Sequence, residues 1–480
     1  MTVRVRFAPS PTGHLHIGGL RTALYNFLLA KSQGGSFILR IEDTDQERSE
    51  KKYEALQMEA LRWAGIDWDE GPGEGPCGPY RQSERLSFYK KYADRLIEED
   101  KAFYCFCTDE ELAEMKEKAV KENRPPHYDG RYRNYPKSEA LQRIAAGEKP
   151  AVRFKASLKS FILEDLVRGR VVFPENMVGD FVIVRSNGLP IYNFCCVVDD
   201  WLMKITHVVR GEDHLSNTVR QLMLYEALDA SRPQFAHVSL LIGQDRQKLS
   251  KRHGVVSVDH YRQEGFLPEA MTNYLCLLGW SHPQEKEIFS QNEVVDLFDT
   301  TRFTKASAIY DLEKLKYING QHLRRLSNED ILKRCEKFFP KNHPFFDGSN
   351  SWKIQCISFF KDQVQFFNQL PGLLDDLFRI DSRGDDEDEL KAIRGLESTP
   401  VMATYLKSEI ERLLSENKAF AQKDDFSHWM THIKKELKIK GKPLFKGMRA
   451  VLTGAAQGPE LVGLIPLTPL SVLKDRMKRY

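Results

Sequence analysis

A chain of 480 residues, 41% hydrophobic and 29% charged, is long enough for several packed domains, and we expect three to five. The net charge of only +3 excludes a strongly basic field over the whole molecule, so any polyanion site must come from local clusters of Lys and Arg. We find no apolar run long enough to cross a bilayer and no secretory leader at the start, and therefore expect a cytoplasmic protein whose eight cysteines are reduced thiols.

The first predicted elements are a strand, a tight loop and a helix. Residues 3–7 alternate in polarity, prolines and a glycine interrupt 9–13, and apolar residues recur at helical spacing over 20–28. This order places His16 and Gly18 at a helix N-terminus, where unpaired N–H groups and the helix dipole favour a phosphate. A Gly-rich turn alone is as often only a turn, and a lone histidine there is commonly a cap.

A second strand is predicted over 37–41, and the charged string RIEDTD at 40–45 follows it. Charged residues at the carboxyl end of a parallel strand lie where α/β sheets bind ligands. The alternative is a solvated loop in which Thr44 or Asp45 caps the next helix. We also predict a helix that Ser83 caps and that runs to Lys101.

The segment 103–190 breaks the alternation of strands and helices, and we interpret it as an insertion between two halves of one nucleotide-binding fold. Its short strands are predicted at 152–154, 161–163 and 171–173, and the Asn187-Gly188 pair predicts a hairpin between strands 181–185 and 191–198.

The second half begins with a strand and Gly turn over 207–214 and a helix over 217–228. A strand over 238–242 then enters the basic loop 243–254, which composition alone would describe as a solvated surface. Helices dominate after Asp259, and the basic face predicted there contains Lys314, Lys316, His322, Arg324 and Arg325. Beyond Ser327 the chain is predicted to be almost wholly helical, broken at 340–351 and by the acidic run 381–389, which we interpret as a solvated loop.

Two strings carry a family resemblance. His16-Ile17-Gly18-Gly19, preceded by the Pro-Ser-Pro-Thr-Gly string that begins at Pro9, resembles the His-Ile-Gly-His signature of class I aminoacyl-tRNA synthetases in its glutamyl and glutaminyl branch, although the last histidine is Gly19 here. Lys248-Leu249-Ser250-Lys251-Arg252 resembles the Lys-Met-Ser-Lys-Ser loop of the same class. Residues 442–454 resemble the helical anticodon-binding domain of bacterial-type glutamyl-tRNA synthetases, so the resemblance extends over essentially the whole chain.

The resemblance implies an α/β fold: a Rossmann-like catalytic domain split by an α+β insertion and followed by an all-α C-terminal region. We expect catalytic halves at 1–102 and 191–255, an inserted acceptor-end-binding domain at 103–190, a helical stem-contact domain at 256–326 and an all-helical anticodon-binding domain at 327–480.

The implied reaction joins glutamate and ATP into glutamyl-adenylate and transfers the glutamyl group to the 2′-hydroxyl of the terminal adenosine of tRNA. By resemblance, the catalytic residues are His16, Lys248 and Lys251. The ATP-binding residues are His16, Gly18, Gly19, Lys248, Ser250 and Lys251. The glutamate-binding residues are Arg6, Ser10, Glu42, Tyr192 and Arg210, of which Arg6 and Arg210 are expected to pair with the side-chain carboxylate and Glu42 with the α-ammonium group. Pro9, Gly19, Lys248 and Arg252 complete the signature strings, and Mg²⁺ is expected to arrive with ATP.

Cys105 and Cys107 could supply half of a tetrahedral zinc site. Some bacterial glutamyl synthetases complete such a site just after a Tyr-Asp-Gly-Arg string. Here that string, which begins at Tyr128, is followed by no second thiol, although His127 could be a third ligand. We therefore predict no zinc.

Several alternatives stay open or are disfavoured. The substrate is tRNA(Glu), tRNA(Gln) or both, and a monomer is expected by resemblance. The long helical C-terminus argues against a glutamyl-queuosine synthetase, and intact His16, Lys248 and Lys251 argue against a non-catalytic tRNA-binding paralogue. A P-loop kinase or ATPase is excluded because no G-x-x-x-x-G-K-[ST] string occurs.

Overall fold

The computed structural model describes residues 2–45, 49–249, 257–380 and 387–480. Contacts divide the chain into two compact units, Met1–Arg262 with Pro268–Ile318 and Gln263–Leu267 with Asn319–Tyr480. The strands are β1 Arg4–Phe7, β2 Ser36–Leu39, β3 Ala102–Cys105, β4 Ala151–Phe154, β5 Phe161–Asp165, β6 Gly169–Phe173, β7 Phe181–Val184, β8 His207–Gly211, β9 Gln234–Val238, β10 Leu241–Ile242 and β11 Ala308–Ile309.

The helices before residue 326 are α1 Ile17–Ser32, α2 Lys51–Trp63, α3 Leu86–Glu98, α4 Asp109–Lys121, α5 Lys137–Ala145, α6 Tyr192–Leu202, α7 Leu215–Ala227, α8 Val258–Glu264, α9 Pro268–Leu277, α10 Gln291–Leu297 and α11 Leu312–Arg325. The later helices are α12 Asn328–Cys335, α13 Asn350–Phe360, α14 Leu370–Phe378, α15 Glu387–Arg394, α16 Ser398–Ser415, α17 Lys423–Lys435, α18 Gly441–Thr453, α19 Leu461–Leu464 and α20 Leu470–Met477.

The first unit is built on a six-stranded sheet in the order β2-β1-β8-β9-β5-β6. The β2, β1, β8, β9 and β5 strands run parallel, and β6 closes the edge antiparallel to β5. β1 therefore has β2 on one side and β8 on the other, a point at which the strand order reverses. Such reversals leave a crevice at the carboxyl ends of the strands. The predicted α/β architecture is confirmed.

Helix α1 is buried on nearly every side because its apolar residues continue around the helix. Its Arg21 donates to the carbonyl of Leu278 at 2.6 Å, and the hydroxyl of Tyr25 donates to the same oxygen at 3.0 Å. The loop before α1 is held by Gln57, whose amide donates to the Gly13 carbonyl at 2.7 Å. These contacts fix the N-terminus of α1 relative to the sheet.

The pairing of the β5–β6 hairpin differs from the sequence-based division. Both predicted strands are present, but they extend the main sheet through β9, whereas β3, β4 and β7 form a separate three-stranded sheet. Part of the segment 103–190 is thus built into the sheet that carries the crevice.

Three local predictions were wrong. Of the predicted strand 191–198, Ile191 is the N-cap of α6 and residues 192–198 form its start, because a short apolar run cannot be told from a buried helix by periodicity. Ser83 does not cap α3, because that helix begins at Leu86. The Ser83 hydroxyl donates instead to the Asp43 carboxylate at 2.6 Å. The strand predicted at 238–242 is divided into β9, which ends at Val238, and β10, which pairs with β11.

In the second unit, the predicted helices pack around Leu406, Trp429 and Met448. Buried Arg476 donates to the backbone carbonyls of Asp376, Arg379 and Leu452, which joins the ends of α14 and α18. Of the acidic run predicted as a loop, 381–386 lies outside the described residues, and the remainder begins α15. In the part of the chain that the structure describes, no helix has the length and apolar character to cross a membrane.

Candidate active site

A cavity of about 550 Å³ opens at the carboxyl ends of β1 and β8. Its lining contains every predicted site residue in the described ranges except Pro9, namely Arg6, Ser10, His16, Gly18, Gly19, Glu42, Tyr192, Arg210 and Lys248. Pro9 acts through its backbone, since its carbonyl accepts the Glu42 N–H at 3.0 Å. The predicted residues Ser250, Lys251 and Arg252 lie outside the described residues.

His16 is the N-cap of α1, and its Nδ1 accepts the backbone N–H of Gly18 at 3.0 Å. Because Nδ1 is an acceptor, the proton of the neutral ring must be on Nε2, which makes that nitrogen a hydrogen-bond donor. Burial, together with the charge of Lys248, lowers the pKa of His16 and keeps the ring neutral. His16 is therefore both a cap and a neutral donor at the cavity.

The two glycines after His16 have different reasons to be glycine. A Cβ on Gly18 would lie 3.3 Å from Nδ1 of His16 and would crowd the ring that caps the helix. A Cβ on Gly19 would lie 3.1 Å from the side chain of Leu15, inside the protein. Gly18 therefore preserves the His16 geometry, and Gly19 preserves the packing of α1.

A buried network of charges supports one wall of the cavity. Asp200 accepts from Arg6 Nε at 3.1 Å and from Arg40 Nη1 at 2.6 Å, and Arg40 Nη2 also donates to Glu42 at 3.2 Å. Burial alone would raise the pKa of Asp200, but Arg6 and Arg40 hold it below its ordinary value. The charge of Arg6 is thus already compensated within the protein, which sequence analysis did not foresee.

Asp199 completes this network on its far side. It accepts from Arg85 Nε at 2.6 Å, Gln82 Nε2 at 2.9 Å and the Tyr89 hydroxyl at 2.8 Å, and Arg40 Nε lies 3.8 Å away. Three buried arginines therefore face three buried carboxylates, Arg6, Arg40 and Arg85 against Glu42, Asp199 and Asp200. The network is formally neutral.

Glu42 keeps one carboxylate oxygen for the cavity. Its Oε1 accepts from Arg40 and from the Cys196 thiol at 3.2 Å, whereas no described residue donates to Oε2. Burial raises the pKa of Glu42 in spite of the two nearby arginines. The alternative interpretation of residues 40–45, a solvated loop that caps the next helix, is wrong on both points. Glu42 is only 8% exposed. Neither Thr44 nor Asp45 caps α2, which begins at Lys51 with Glu50 as its N-cap.

Arg210 differs from Arg6 because its partners are neutral. Its Nε lies 3.1 Å from His237 Nε2, and its Nη2 donates to the Thr218 hydroxyl at 2.9 Å. No carboxylate of the described residues forms an ion pair with it, although it is only 5% exposed. A buried guanidinium without a counter-charge is costly to the protein unless a ligand supplies that charge.

The cavity lining contains two further polar pairs. The Tyr192 hydroxyl lies 3.0 Å from His214 Nδ1, and Lys248 Nζ lies 2.8 Å from Asp213. Burial, followed by the charge of Arg210, lowers the pKa of His214 to about 4, so this ring is neutral near pH 7. The ion pair with Asp213 therefore holds Lys248 at the cavity, and an anionic ligand could replace that carboxylate as the partner of the ammonium group.

Sequence reasoning missed the supporting residues. Asp199 and Asp200 stand in the otherwise apolar helix α6, a signal of buried ion pairs, but their arginine partners are distant in sequence. His237, Asp213 and His214 belong to none of the motifs on which the sequence-based assignment depends.

Cys105 and Cys107, the two thiols considered for a zinc site, lie at the end of β3 and just after it. The Tyr128 hydroxyl lies 3.7 Å from Cys105 Sγ and 3.9 Å from Cys107 Sγ, and Arg153 Nε lies 3.3 Å from Cys105 Sγ. The Arg153 guanidinium also lies over the Tyr128 ring at 4.3 Å. Among the residues with described coordinates, no group of three His, Cys, Asp or Glu residues could hold a metal. The absence of zinc stays a prediction.

Residues 2–317 match a family model described as tRNA synthetases class I (E and Q), catalytic domain. The chain belongs to this family. Class I synthetases of this kind use ATP, which agrees with a cavity at the N-terminus of α1.

Relatives of this class I synthetase extend over its whole length. It is 44% identical to glutamate–tRNA ligase 1 of Fervidobacterium nodosum, with 100% of this chain and 99% of the relative covered. It is 43% identical to glutamate–tRNA ligase of Sulfurihydrogenibium sp., over 99% and 98% of the two chains. A crystal structure of a glutamate tRNA ligase from Elizabethkingia meningosepticum, in complex with its amino acid, superposes with a TM-score of 0.89 at 32% identity and covers 100% of this chain and 99% of its own.

Proposed function

We propose that the protein ligates glutamate to tRNA in two steps, through glutamyl-adenylate. The observation that carries the choice of amino acid is the buried positive charge of Arg210, which has only neutral partners among the described residues. A substrate side-chain carboxylate would supply the missing negative charge. Arg6 lines the same cavity and would add a second donor, although Asp200 already compensates its charge.

Glutamine would satisfy this site poorly. Its amide is neutral and would leave Arg210 uncompensated, at a cost of roughly 1.5–3 kcal/mol for each charge-assisted hydrogen bond that is lost. The other end of the substrate is matched by Glu42, whose Oε2 is directed to no described donor and can accept the α-ammonium group. The side-chain carboxylate of glutamate would thus face Arg210, and its α-ammonium group would face Glu42. Ser10 and Tyr192 line the same cavity.

The first step joins two anions, because a carboxylate oxygen attacks the α-phosphorus of ATP and pyrophosphate departs. Neutralisation and alignment therefore provide most of the catalysis. The His16 Nε2–H can donate to phosphate oxygens without carrying a charge, and Gly18 lies in the cavity lining beside it. Lys248 places an ammonium group at the cavity for the departing pyrophosphate, and by resemblance Lys251 does the same.

Magnesium is proposed to enter with ATP. Phosphate oxygens and water hold Mg²⁺ in most nucleotide sites, and this cavity contains no group of described carboxylates that could form a protein cage. Asp213 lines the cavity beside Lys248, and its carboxylate is already paired with the Lys248 ammonium group at 2.8 Å.

The second step would transfer the glutamyl group to the 2′-hydroxyl of the terminal adenosine of tRNA. The exposed lysines of the C-terminal unit provide a local basic surface for such a partner, and they are Lys434, Lys435, Lys438, Lys440 and Lys442. The domain assignments made from the resemblance, including the acceptor-end-binding role of 103–190, belong to this proposal.

The deciding experiment is aminoacylation of purified tRNA(Glu) and tRNA(Gln), side by side, with labelled glutamate or glutamine. We expect ATP-dependent charging with glutamate only, and the relative rates on the two tRNAs would define the acceptor. A second assay, ATP–pyrophosphate exchange with tRNA present, addresses the alternative of a non-catalytic tRNA-binding paralogue. Binding of tRNA without glutamate-dependent exchange would overturn the proposed function and support that alternative.

A further inference from the structure

Behind Arg210 lies a buried chain of hydrogen bonds that the proposed chemistry does not use. His237 on β9 and Asp165 at the end of β5 are 0% and 5% exposed. His237 Nδ1 lies 2.6 Å from Asp165 Oδ2, and His237 Nε2 lies 3.1 Å from Arg210 Nε. The chain therefore runs from the edge hairpin of the sheet to the guanidinium at the cavity.

The geometry fixes where the proton of His237 is. Arg210 Nε carries a hydrogen and can only donate, so His237 Nε2 must accept and cannot be protonated. The single ring proton is then on Nδ1, which donates to Asp165. Burial lowers the pKa of His237 by more than the hydrogen bond with Asp165 raises it, and the charge of Arg210 lowers it further, in agreement with a neutral ring.

Asp165 is itself fixed by several backbone groups. Its carboxylate accepts the N–H groups of Val167, Arg168 and His237 at 2.9, 2.8 and 3.2 Å. Burial alone would raise the pKa of Asp165, but the hydrogen bond from His237 and these N–H groups hold it below its ordinary value. The carboxylate is thus a rigid anchor for one side of the imidazole.

The arrangement of Asp165, His237 and Thr218 is similar to that of a nucleophilic triad, because Thr218 Oγ1 lies 3.1 Å from His237 Nε2. Two observations exclude that role. Thr218 is 0% exposed, and its hydroxyl accepts from Arg210 and lies 3.3 Å from the carbonyl of His214. The lone pair of Nε2 is directed to Arg210 rather than to a substrate.

We propose that His237 is a positioning residue for glutamate binding, held by Asp165 in the tautomer that accepts from Arg210. A carboxylate in its place would orient the guanidinium equally well but would cancel the charge that the substrate needs. A neutral acceptor orients Arg210 and leaves its charge for the ligand. The inference rests on the proposed function, since it assumes that Arg210 binds the substrate carboxylate.

The test compares His237→Gln with His237→Asn in the full-length protein. A Gln side chain can place its carbonyl oxygen near the position of Nε2, whereas an Asn amide reaches only the position of Nδ1. Both variants retain the backbone bond to Asp165, and each loses one side-chain contact of the ring. They are therefore matched in structural disturbance and differ in the acceptor that Arg210 receives.

We expect His237→Asn to raise the KM for glutamate in pyrophosphate exchange by about tenfold, with the KM for ATP unchanged. In His237→Gln the KM for glutamate should remain within about threefold of the wild-type value. Asp165→Asn should behave like His237→Asn, because an amide donor at Nδ1 would favour the tautomer with its proton on Nε2.

Three outcomes would contradict the inference. Equal KM values for glutamate in the two His237 variants would overturn it, and so would parallel changes in the KM for ATP. If the wild-type enzyme is active and the variants give either of these results, only the inference is overturned and the proposed function is retained. A wild-type protein without glutamate-dependent exchange would overturn both.

Discussion

Removing the charge of Asp200 tests the buried network that supports the cavity. Asp200→Asn conserves the shape of the side chain and one carbonyl oxygen, but leaves Arg6 and Arg40 to share a neutral partner. Two carboxylates, Glu42 and Asp199, would then face three buried arginines. The change therefore converts a formally neutral buried cluster into one with a net positive charge.

The expected loss follows from burial. Asp200 and Arg6 have side chains only 4% and 5% exposed, so water cannot compensate the lost charge. Removing one partner of a buried ion pair typically costs about 3–5 kcal/mol. With an unfolding entropy of about 2.1 cal/mol/K per residue, a unit of roughly 300 residues loses about 5–8 °C in Tm.

The assay is thermal unfolding at pH 7.5, with Asp94→Asn as the control. Asp94 pairs with Lys90 on the surface, where their side chains are 45% and 77% exposed, and such pairs contribute less than about 1 kcal/mol. The control should therefore change Tm by no more than about 2 °C. If Asp200→Asn changed Tm as little as Asp94→Asn, the argument that the three arginines require three carboxylates would be wrong.

Four further outcomes are expected. Arg210→Gln should lower kcat/KM for glutamate roughly 10- to 150-fold, the equivalent of 1.5–3 kcal/mol, with KM for ATP unchanged in pyrophosphate exchange. Lys248→Ala should lower the exchange rate at least about tenfold at unchanged Tm, because the side chain is 63% exposed. His214 has a folded pKa of about 4 against about 6.5 when unfolded, so the unfolded chain binds more protons between these values. His214 alone should lower the free energy of unfolding by about 1.3 kcal/mol as the pH drops from 7.5 to 5.5, and His214→Asn should remove this part of the slope. Chelator-washed protein should contain no zinc at Cys105 and Cys107, and its Tm should not respond to the chelator.

A specific result would contradict each of these four predictions. Equal losses for glutamate and ATP in Arg210→Gln would remove its assignment to the amino acid. Lys159→Ala, in an exposed pair with Glu226, is the matched control for Lys248→Ala, and equal activity of the two would exclude a role for Lys248. A pH slope unchanged by His214→Asn would place the titration elsewhere. Stoichiometric zinc after chelation would contradict the prediction of a metal-free segment.

The described residues that motif resemblance predicted line the cavity, Pro9 excepted, because a ligand constrains its contacts to short strings such as the one around His16. Residues that support the site from behind follow no such string. Asp200 lies 194 positions from Arg6, and Asp165 lies 72 positions from His237, so only the sheet topology brings them together.

The prediction of a strand in place of α6 was wrong for a local reason. A helix buried on all faces loses the polar stripe that would reveal a period of 3.6, so its apolar run was taken for a strand. The first strand and helix were predicted correctly because prolines and glycine marked the loop between them. The roles assigned to the site residues and to the domains stay predictions until they are measured.

The place of the β5–β6 hairpin in the main sheet restricts how the chain can be rearranged. A version from which 103–190 were excised would lack β5 and β6 and would leave β9 as an open sheet edge with unpaired N–H and C=O groups. Such an edge invites pairing with another chain and therefore aggregation. The same excision would remove the Asp165 anchor of His237. The inserted segment is consequently not a detachable module, and exchange between relatives would have to transfer its hairpin together with β9.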